Sequence, residues 1–223
     1  MEETKSNWNC VAEYMDGQEE IKLGRYASYW YLKTPGRFLH HLSYYKFAAK
    51  LIGSGKKVLD IGCNEGTGTW LIAKECGYAQ GVDFDEEAIN VARKNFVSDQ
   101  IAFTSKNVLE LPAKEEWDAI VNFDVIEHIM PENADLFVKN ISDNLKPSGI
   151  AVVGTPSLIS QEFASEISKR GHVNIYSHQR LEEQMRKFFD IVFIFAANDE
   201  VVHTGYLPLA HYFIAVGCKK KSS

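Results

Sequence analysis

The sequence contains few cysteines, and the longest apolar run among its 223 residues is short. None of Cys10, Cys63, Cys76 and Cys218 forms a C-x-x-C pair, so zinc-ribbon and thioredoxin-type sites have no support. The longest notable apolar run, residues 191–197, is far too short to cross a bilayer. The first residues, MEETKSN, lack the basic start and apolar core of a signal peptide. Scattered thiols and these absences predict a cytoplasmic protein with no membrane span.

Positive charge is also scarce, because 24 Lys and Arg face 30 Asp and Glu for a net charge of −6. Proteins that bind nucleic acid need a basic surface to contact phosphates, so this balance argues against a nucleic-acid partner. Hydrophobic residues make up 45% of the chain, which is enough for a full core without disulfides or metals. Length and composition therefore indicate one ordinary domain with room for a helical appendage.

From residue 57 onward, short apolar runs alternate with helical patterns. The predicted strands cover residues 58–61, 79–83, 101–104, 117–122 and 150–154, and the predicted helices between them cover 67–76, 85–96 and 134–145. Acidic residues open the 85–96 helix and Arg93 and Lys94 close it, as the helix dipole favours. This alternation predicts a parallel sheet that is covered by helices on both faces.

The C-terminal part breaks this alternation. A helix with an apolar stripe of Leu181, Met185 and Phe188 precedes two predicted strands, residues 190–197 and 209–218. No helix separates these strands, so we expect them to pair as an antiparallel hairpin at one sheet edge. The predicted fold is therefore α/β, with a doubly wound, mostly parallel seven-stranded sheet, a C-terminal antiparallel hairpin and an N-terminal helical extension.

The N-terminal extension, residues 1–55, is predicted to be a helical cap or lid region. One of its helices ends at Gly53 and carries an apolar stripe that consists of Phe38, Leu42, Tyr45, Ala49 and Ile52. We interpret His40 and His41 as part of the solvated face of this helix. The aromatic segment 25–31 fits either a packed helix or a lid over the active-site cleft. The main domain is predicted over residues 56–219, followed by a tail at 220–223.

A glycine-bearing turn follows the first strand and is the main candidate for a ligand site. Gly62 lets the backbone approach a ligand closely, and Gly66 and Gly68 allow the loop to pack tightly against the next helix. Asp60 lies inside an apolar strand, where a charge is costly without a task. Asp83 ends the second strand about twenty residues later, where a carboxylate can take both hydroxyls of a ribose. Together these features predict a nucleoside-containing ligand.

The run V-L-D-I-G-C-x-E-G, followed by G-V-D, resembles the class I S-adenosylmethionine-dependent methyltransferases. The resemblance extends over residues 56–155 and includes Asn107-Val108 after the third strand. The D-V-I-E-H element at 124–128 is similar to that of ubiquinone-pathway O-methyltransferases. Thr155-Pro156 and the run H-V-N-I-Y-S at 172–177 resemble small-molecule methyltransferases that are encoded with polysaccharide-building enzymes. The resemblance implies a methyltransferase domain over residues 56–219.

The same resemblance implies S-adenosylmethionine as the cofactor and S-adenosylhomocysteine as its product. It places the cofactor against Asp60, Gly62, Cys63, Asn64, Gly66, Asp83, Phe84, Asn107, Val108, Phe123 and Asp124. In this family pattern the loop meets the methionine part, Asp83 binds the ribose diol, and Phe84, Asn107 and Val108 surround the adenine. Phe123 and Asp124 line the amino-acid end of the cofactor.

Two positions depart from the family pattern. Asn64 replaces the usual middle glycine of the loop, but asparagine tolerates a left-handed backbone better than most residues. Asn107 stands where many members have aspartate, and its amide oxygen can still accept a hydrogen bond from an amino group. We therefore expect the cofactor site to survive both changes.

The methyl acceptor is harder to predict than the donor. An alcohol is best served by a base that removes its proton as the new bond forms, and histidine suits this role near neutral pH. His128 and His172 follow the fourth and fifth strands, whose carboxyl ends border the ligand crevice, so they are the predicted catalytic residues. Glu127 next to His128 does not by itself make a metal site, and no metal is predicted.

These observations predict transfer of a methyl group to a hydroxyl of a small molecule or sugar. An N-methyltransferase acting on a small amine, or an S-adenosylmethionine-binding protein without catalysis, stays open as an alternative. A nicotinamide-dependent dehydrogenase shares the turn and Asp83, but the loop lacks the G-x-G-x-x-G spacing. The Asn-Pro-Pro-Tyr type of sequence that adenine methylation of DNA would require is absent after the fourth strand. The oligomeric state is left open.

Overall fold

A computed structural model describes residues 2–18 and 20–221. Its strands are β1 Lys56–Ile61, β2 Gly77–Asp83, β3 Ile101–Ser105, β4 Trp117–Phe123, β5 Leu145–Pro156, β6 Phe189–Ala197, β7 Val202–His203 and β8 Tyr212–Lys220. Its α-helices are α1 Glu2–Met15, α2 Arg25–Lys33, α3 Pro35–Ile52, α4 Thr67–Cys76, α5 Glu86–Asn95, α6 Ala134–Asn144, α7 Glu166–Gly171 and α8 His178–Arg186. Short 3₁₀ turns occupy several of the loops.

The described strands form a single mixed sheet in the order β3-β2-β1-β4-β5-β8-β6-β7. β1 to β5 are mutually parallel, whereas β8 runs antiparallel to both β5 and β6. The predicted α/β class and the C-terminal antiparallel pair are therefore confirmed. The predicted strand number of seven is wrong, because the two-residue strand β7 adds an eighth at the edge of β6. Such a short edge strand has too few residues to leave an alternating pattern in the sequence.

The last residues extend the sheet beyond the predicted limit of the main domain. Lys220 still belongs to β8, and the Lys221 amide donates to the Phe188 carbonyl at 2.8 Å. The remaining part of the predicted tail, Ser222 and Ser223, lies outside the described residues.

Local sequence explains where the helices begin and which face they bury. Asp85 caps α5, since its side chain accepts from the backbone amides of Glu87 and Ala88. On one face of the sheet, α3 and α4 bury Tyr45 and Ile72 among their neighbours, and the other face is covered by α6 and α8. No helix among the described residues is both long and apolar enough to cross a membrane.

The strand order fixes where a ligand can bind. β1 and β4 are adjacent and parallel, so their carboxyl ends open at the same edge of the sheet. The chain proceeds from β1 to β2 and β3 on one side and from β4 to β5 on the other. In open α/β sheets, the crevice at such a reversal of strand order is the place where ligands bind.

Candidate functional site

The loop after β1 has the backbone shape that its glycines predict. Gly62 and Gly66 have φ values of +77° and +80°, a region that favours glycine. A Cβ atom at Gly62 would lie 2.1 Å from Cγ2 of Val125, so this position also needs glycine for space. Asn64, the departure from the family pattern, has a φ of +49° and is accommodated in the left-handed region.

Asp60 lies beneath this loop and is fully buried. Its Oδ1 accepts from the Tyr45 hydroxyl at 2.9 Å, and its Oδ2 accepts from the Thr69 hydroxyl at 2.5 Å. Burial raises the pKa of Asp60 to about 7, against the lowering effect of both hydroxyls and with a further rise from the Asp83 charge. Because it joins α3 and α4 to β1, this carboxyl positions the loop from below.

Asp83 and Phe84 lie at the carboxyl end of β2, beside the loop. The Asp83 carboxylate accepts from the Asn64 amide and the Asp85 amide, both at 2.9 Å. Each carboxylate oxygen keeps a second lone pair that a ribose hydroxyl can use. Phe84 is 80% exposed, an unusual state for a large apolar ring and one that a stacked ligand would relieve.

The two residues after β3 that were predicted to face the adenine, Asn107 and Val108, differ in their exposure. The Asn107 side chain is exposed and caps a 3₁₀ turn, with Oδ1 accepting from the Leu109 amide and Nδ2 donating to Glu110, both at 3.0 Å. Val108 is buried in the core beneath that turn. Asn107 can therefore reach a ligand with its remaining lone pair.

Two further predicted residues are buried in the core. Cys63 packs with Ile89 and Phe103, while its backbone amide donates to the Val82 carbonyl at 3.2 Å. Phe123 packs against the ring of Tyr45 at 4.9 Å between centroids. These two side chains shape the floor of the crevice from below.

Asp124 follows β4 and projects an incompletely satisfied carboxylate at the crevice. Its φ is +56°, and its buried Oδ1 has no hydrogen-bond partner among the described residues. Its Oδ2 lies 3.8 Å from Nη2 of Arg37 in α3. A left-handed, non-glycine residue with an orphaned polar atom is typical of a binding position.

The two predicted catalytic histidines meet in space. The rings of His128 and His172 have centroids 5.0 Å apart and are close to perpendicular. Nδ1 of His128 contacts the Gly171 carbonyl at 2.8 Å, and Nδ1 of His172 contacts Oε1 of Gln161 at 3.1 Å. Burial and the neighbouring His128 lower the pKa of His172, which favours the neutral form of its ring.

Glu127 lies beside this pair and is 1% exposed. Its Oε2 accepts from the Thr155 hydroxyl at 3.1 Å, whereas Oε1 has no partner among the described residues. Burial raises the pKa of Glu127 well above its ordinary value, and the nearby Asp124 charge raises it further. Glu127, His128 and His172 each have one potential metal-ligand atom within 4.8 Å of those of the other two residues.

Glu65 lies beside the loop but was not among the site residues predicted from the sequence. Its buried carboxylate accepts from the Tyr26 and Ala27 amides at 3.0 Å and 2.9 Å, at the start of α2. Arg25 in the same turn forms an ion pair with Asp85 at 2.7 Å. The segment 25–31 thus lies across the loop and the start of α5, which is where a lid over the cofactor would lie.

His41 is a second residue that the sequence misplaced. It does not belong to a solvated face, because its ring packs between Trp30 and Tyr45 at about 5 Å from each centroid. Its Nδ1 is buried without a partner among the described residues, and burial lowers its pKa to about 4. The apolar stripe of α3, which includes Tyr45, was the sequence signal that residues near it could be buried. The helix buries a wider face than that stripe predicted. Tyr212 from β8 adds a buried hydroxyl that has no partner in the part of the chain that the structure describes.

Residues 58–149 match the model of a family described as a methyltransferase domain. A probable S-adenosylmethionine-dependent methyltransferase of Mycolicibacterium smegmatis is 31% identical over 134 residues, which is 60% of this chain and 48% of that protein. A ubiquinone biosynthesis O-methyltransferase of Agrobacterium fabrum is 35% identical over 106 residues, covering 45% of this chain and 41% of that protein. The chain therefore spans about half the length of the curated relatives it matches.

Solved structures share the fold over most of the chain. A chain from the complex of the Haloferax volcanii Trm112 methyltransferase activator with a methyltransferase has a TM-score of 0.71 at 15% identity, covering 88% of this chain and 96% of that chain. The N-methyltransferase NodS of Bradyrhizobium japonicum, in complex with S-adenosyl-L-homocysteine, has a TM-score of 0.66 at 18% identity, covering 85% and 91%. At such identities the likeness shows the fold alone, and the predicted Rossmann-like α/β fold is confirmed.

Proposed function

We propose that the protein transfers the methyl group of S-adenosylmethionine to a hydroxyl of a small molecule or sugar. The match of residues 58–149 to a methyltransferase-domain family and the likeness to a probable S-adenosylmethionine-dependent methyltransferase support this proposal. When bound, this cofactor supplies an electrophilic methyl group on a positively charged sulfur. The proposal includes a cytoplasmic location, which the four free cysteine thiols support. An amine acceptor is the nearest alternative.

The residues at the crevice fit such a cofactor. Asp83 offers paired lone pairs to a ribose diol, and the exposed Phe84 ring offers a stacking surface to adenine. At the other end, the orphaned Oδ1 of Asp124 can accept from an ammonium group. The Gly62 backbone between these ends leaves room for the ligand to pass close to the chain.

The observation that carries the hydroxyl proposal is the pair of facing imidazoles beyond the Asp124 end of the crevice. Neutral amines attack a methyl group with their own lone pair, whereas a hydroxyl must also lose its proton. Since both Nδ1 atoms donate to oxygens, the Nε2 atoms of His128 and His172 keep their lone pairs. One of them takes the hydroxyl proton as the oxygen–carbon bond forms and the sulfur–carbon bond breaks.

Aromatic residues of α2, α3 and β8 pack near Arg37, whose guanidinium faces Asp124. Arg37 lies over the Trp30 ring at 5.5 Å, and Tyr44 stacks on Tyr212 at 4.3 Å between centroids. Trp30 is only half-buried, so its ring suits a flat phenol or the apolar face of a sugar, whereas Tyr44 and Tyr212 are buried. The acidic net charge argues against a nucleic-acid acceptor.

Calorimetric titration with S-adenosylhomocysteine and S-adenosylmethionine tests the donor, with NAD as the control ligand. Binding of both adenosyl ligands without NAD binding is expected. A panel of phenols, sugars and small amines, assayed by release of S-adenosylhomocysteine, then tests the acceptor. Turnover of hydroxyl compounds is the expected result. Turnover of amines alone would overturn the hydroxyl acceptor, and absence of adenosyl binding would overturn the whole proposal.

Variants of the histidines test the proposed base. His172→Ala should lower kcat by roughly a hundredfold or more, the usual contribution of a positioned base, without changing the affinity for S-adenosylhomocysteine. His203→Ala is the matched control, because His203 lies on the far sheet edge in β7. Unchanged turnover in both His172→Ala and His128→Ala would remove the imidazoles from the reaction.

A further inference from the structure

Three potential metal ligands from separate parts of the chain converge beside the crevice. Glu127 and His128 lie in the 3₁₀ turn after β4, and His172 follows α7. Their ligand atoms lie within 4.8 Å of one another, close enough for one ion to join them after small side-chain rotations. From the sequence only the adjacent pair was visible, and the third member is supplied by the tertiary structure.

Both imidazoles are held in the tautomer that metal-ligating histidines adopt. The Gly171 carbonyl can only accept, so Nδ1 of His128 carries the proton and Nε2 carries the lone pair. Oε1 of Gln161 holds His172 in the same tautomer. A ligating histidine usually donates its other ring N–H to a carbonyl or carboxylate, which fixes the ring and raises its basicity.

Glu127 supplies an independent indication that a cation belongs here. Its carboxylate is almost completely buried, and Oε1 has no partner among the described residues, although Thr155 satisfies Oε2. A buried carboxylate with one orphaned oxygen is costly, and a metal ion is one of the few partners that remove this cost. Arg37 does not do so, because its guanidinium lies toward Asp124 at 3.8 Å.

We propose that Glu127, His128 and His172 bind one divalent transition-metal ion of the zinc class. Two imidazoles and one carboxylate suit Zn²⁺ and its first-row neighbours, whereas Mg²⁺ and Ca²⁺ prefer oxygen ligands alone. Three protein ligands leave at least one position open, as in catalytic rather than structural zinc sites.

The chemical consequence rests on the proposed function, although metal binding itself does not. A bound ion would lower the pKa of an acceptor hydroxyl beside it, so that the hydroxyl would lose its proton to solvent more readily. That oxygen then forms the bond to the methyl carbon as the sulfur–carbon bond breaks. In this form of the site the imidazoles act as ligands, and the ion replaces them as the group that activates the hydroxyl.

The test uses the full chain without a histidine tag, freed of metal with a chelator and titrated calorimetrically with ZnCl₂. Binding of one ion per chain is expected, and CoCl₂ should give the intense visible bands of a low-coordinate nitrogen and oxygen site. Glu127→Gln and His172→Ala should each weaken Zn²⁺ binding by about tenfold or more, and Gln161→Ala by about tenfold through loss of the ring orientation. His203→Ala should bind Zn²⁺ like the wild type.

Affinity for S-adenosylhomocysteine is measured on the same variants as the check that each one is folded. Absence of stoichiometric Zn²⁺ binding, or binding that Glu127→Gln and His172→Ala leave unchanged, would overturn the metal site. If S-adenosylhomocysteine still binds in that case, the proposed function stands with a histidine as the base. If Zn²⁺ binds as expected but no adenosyl ligand does, the metal site stands and the proposed function fails.

Discussion

Replacement of Asp60 by asparagine should remove a large part of the pH dependence of folding. The carboxyl is fully buried between the hydroxyls of Tyr45 and Thr69, and its pKa in the folded protein is about 7. In the unfolded chain an aspartate titrates near about 3.9. The folded state therefore binds the proton more tightly, and its stabilising effect is complete below the unfolded pKa and lost as pH rises through about 7.

The size of this effect follows from the same two pKa values. Each pKa unit corresponds to about 1.4 kcal/mol, so the wild type should lose roughly 2.5 kcal/mol of unfolding free energy from this group between about pH 5 and about pH 8. The side-chain amide of the Asp60→Asn variant cannot titrate, so the variant should lack that loss. It should consequently gain stability relative to the wild type as the pH rises.

Urea unfolding of the cofactor-free protein, followed by tryptophan fluorescence at both pH values, measures the difference. Asp118→Asn is the matched control. Partial burial raises the pKa of Asp118, but hydrogen bonds from Lys146 and the Lys57 amide lower it by more. Its contribution to the free energy of unfolding is therefore constant between these two pH values and is lost only as pH falls through the lowered pKa. Parallel pH profiles for the wild type and Asp60→Asn would refute a raised pKa at Asp60.

Three further changes probe the crevice. Asp83→Ala should weaken S-adenosylhomocysteine binding by about 1–3 kcal/mol in calorimetry, the scale of an unpaired hydroxyl contact, and wild-type affinity would remove Asp83 from the site. Gly62→Ala should destabilise the protein by about 2 kcal/mol or more in thermal melts, because its Cβ would meet Val125 at 2.1 Å and φ is +77°. Adding Val125→Ala to this variant should restore only part of the stability, because it removes the clash and leaves the unfavourable φ. Glu65→Ala should release α2 and speed limited proteolysis at residues 20–33 several-fold, and an unchanged cleavage rate would show that other contacts hold this segment.

Much of the cofactor crevice could be predicted because its determinants are local. The turn after β1 needs residues that tolerate positive φ, and Gly62, Asn64 and Gly66 meet this need in a short stretch. Asp83 and Phe84 could be located from the end of a strand alone, since parallel strands deliver their carboxyl ends to one edge. Periodicity could not reveal β7, whose two residues are too few to show an alternating pattern.

The roles of other residues depend on partners that are distant in the chain. Asp60 could be recognised as a buried charge, but its two hydroxyl donors come from α3 and α4. His41 was interpreted as solvated because no local pattern shows that Trp30 packs on the other side of its ring. Glu65 gave no separate signal, since its partners are backbone amides at the start of α2.

The sequence by itself determined the fold class and the place of the glycine-bearing turn after β1, because strand and helix periods and glycine turns are encoded within a few neighbouring residues. Only the tertiary structure decided which side chains meet beside that turn. The long connection between β5 and α8 brings His172 back to His128 and Glu127, and α3 brings Arg37 to Asp124. Such contacts depend on how packed layers close over the sheet, and no spacing along the chain specifies that closure.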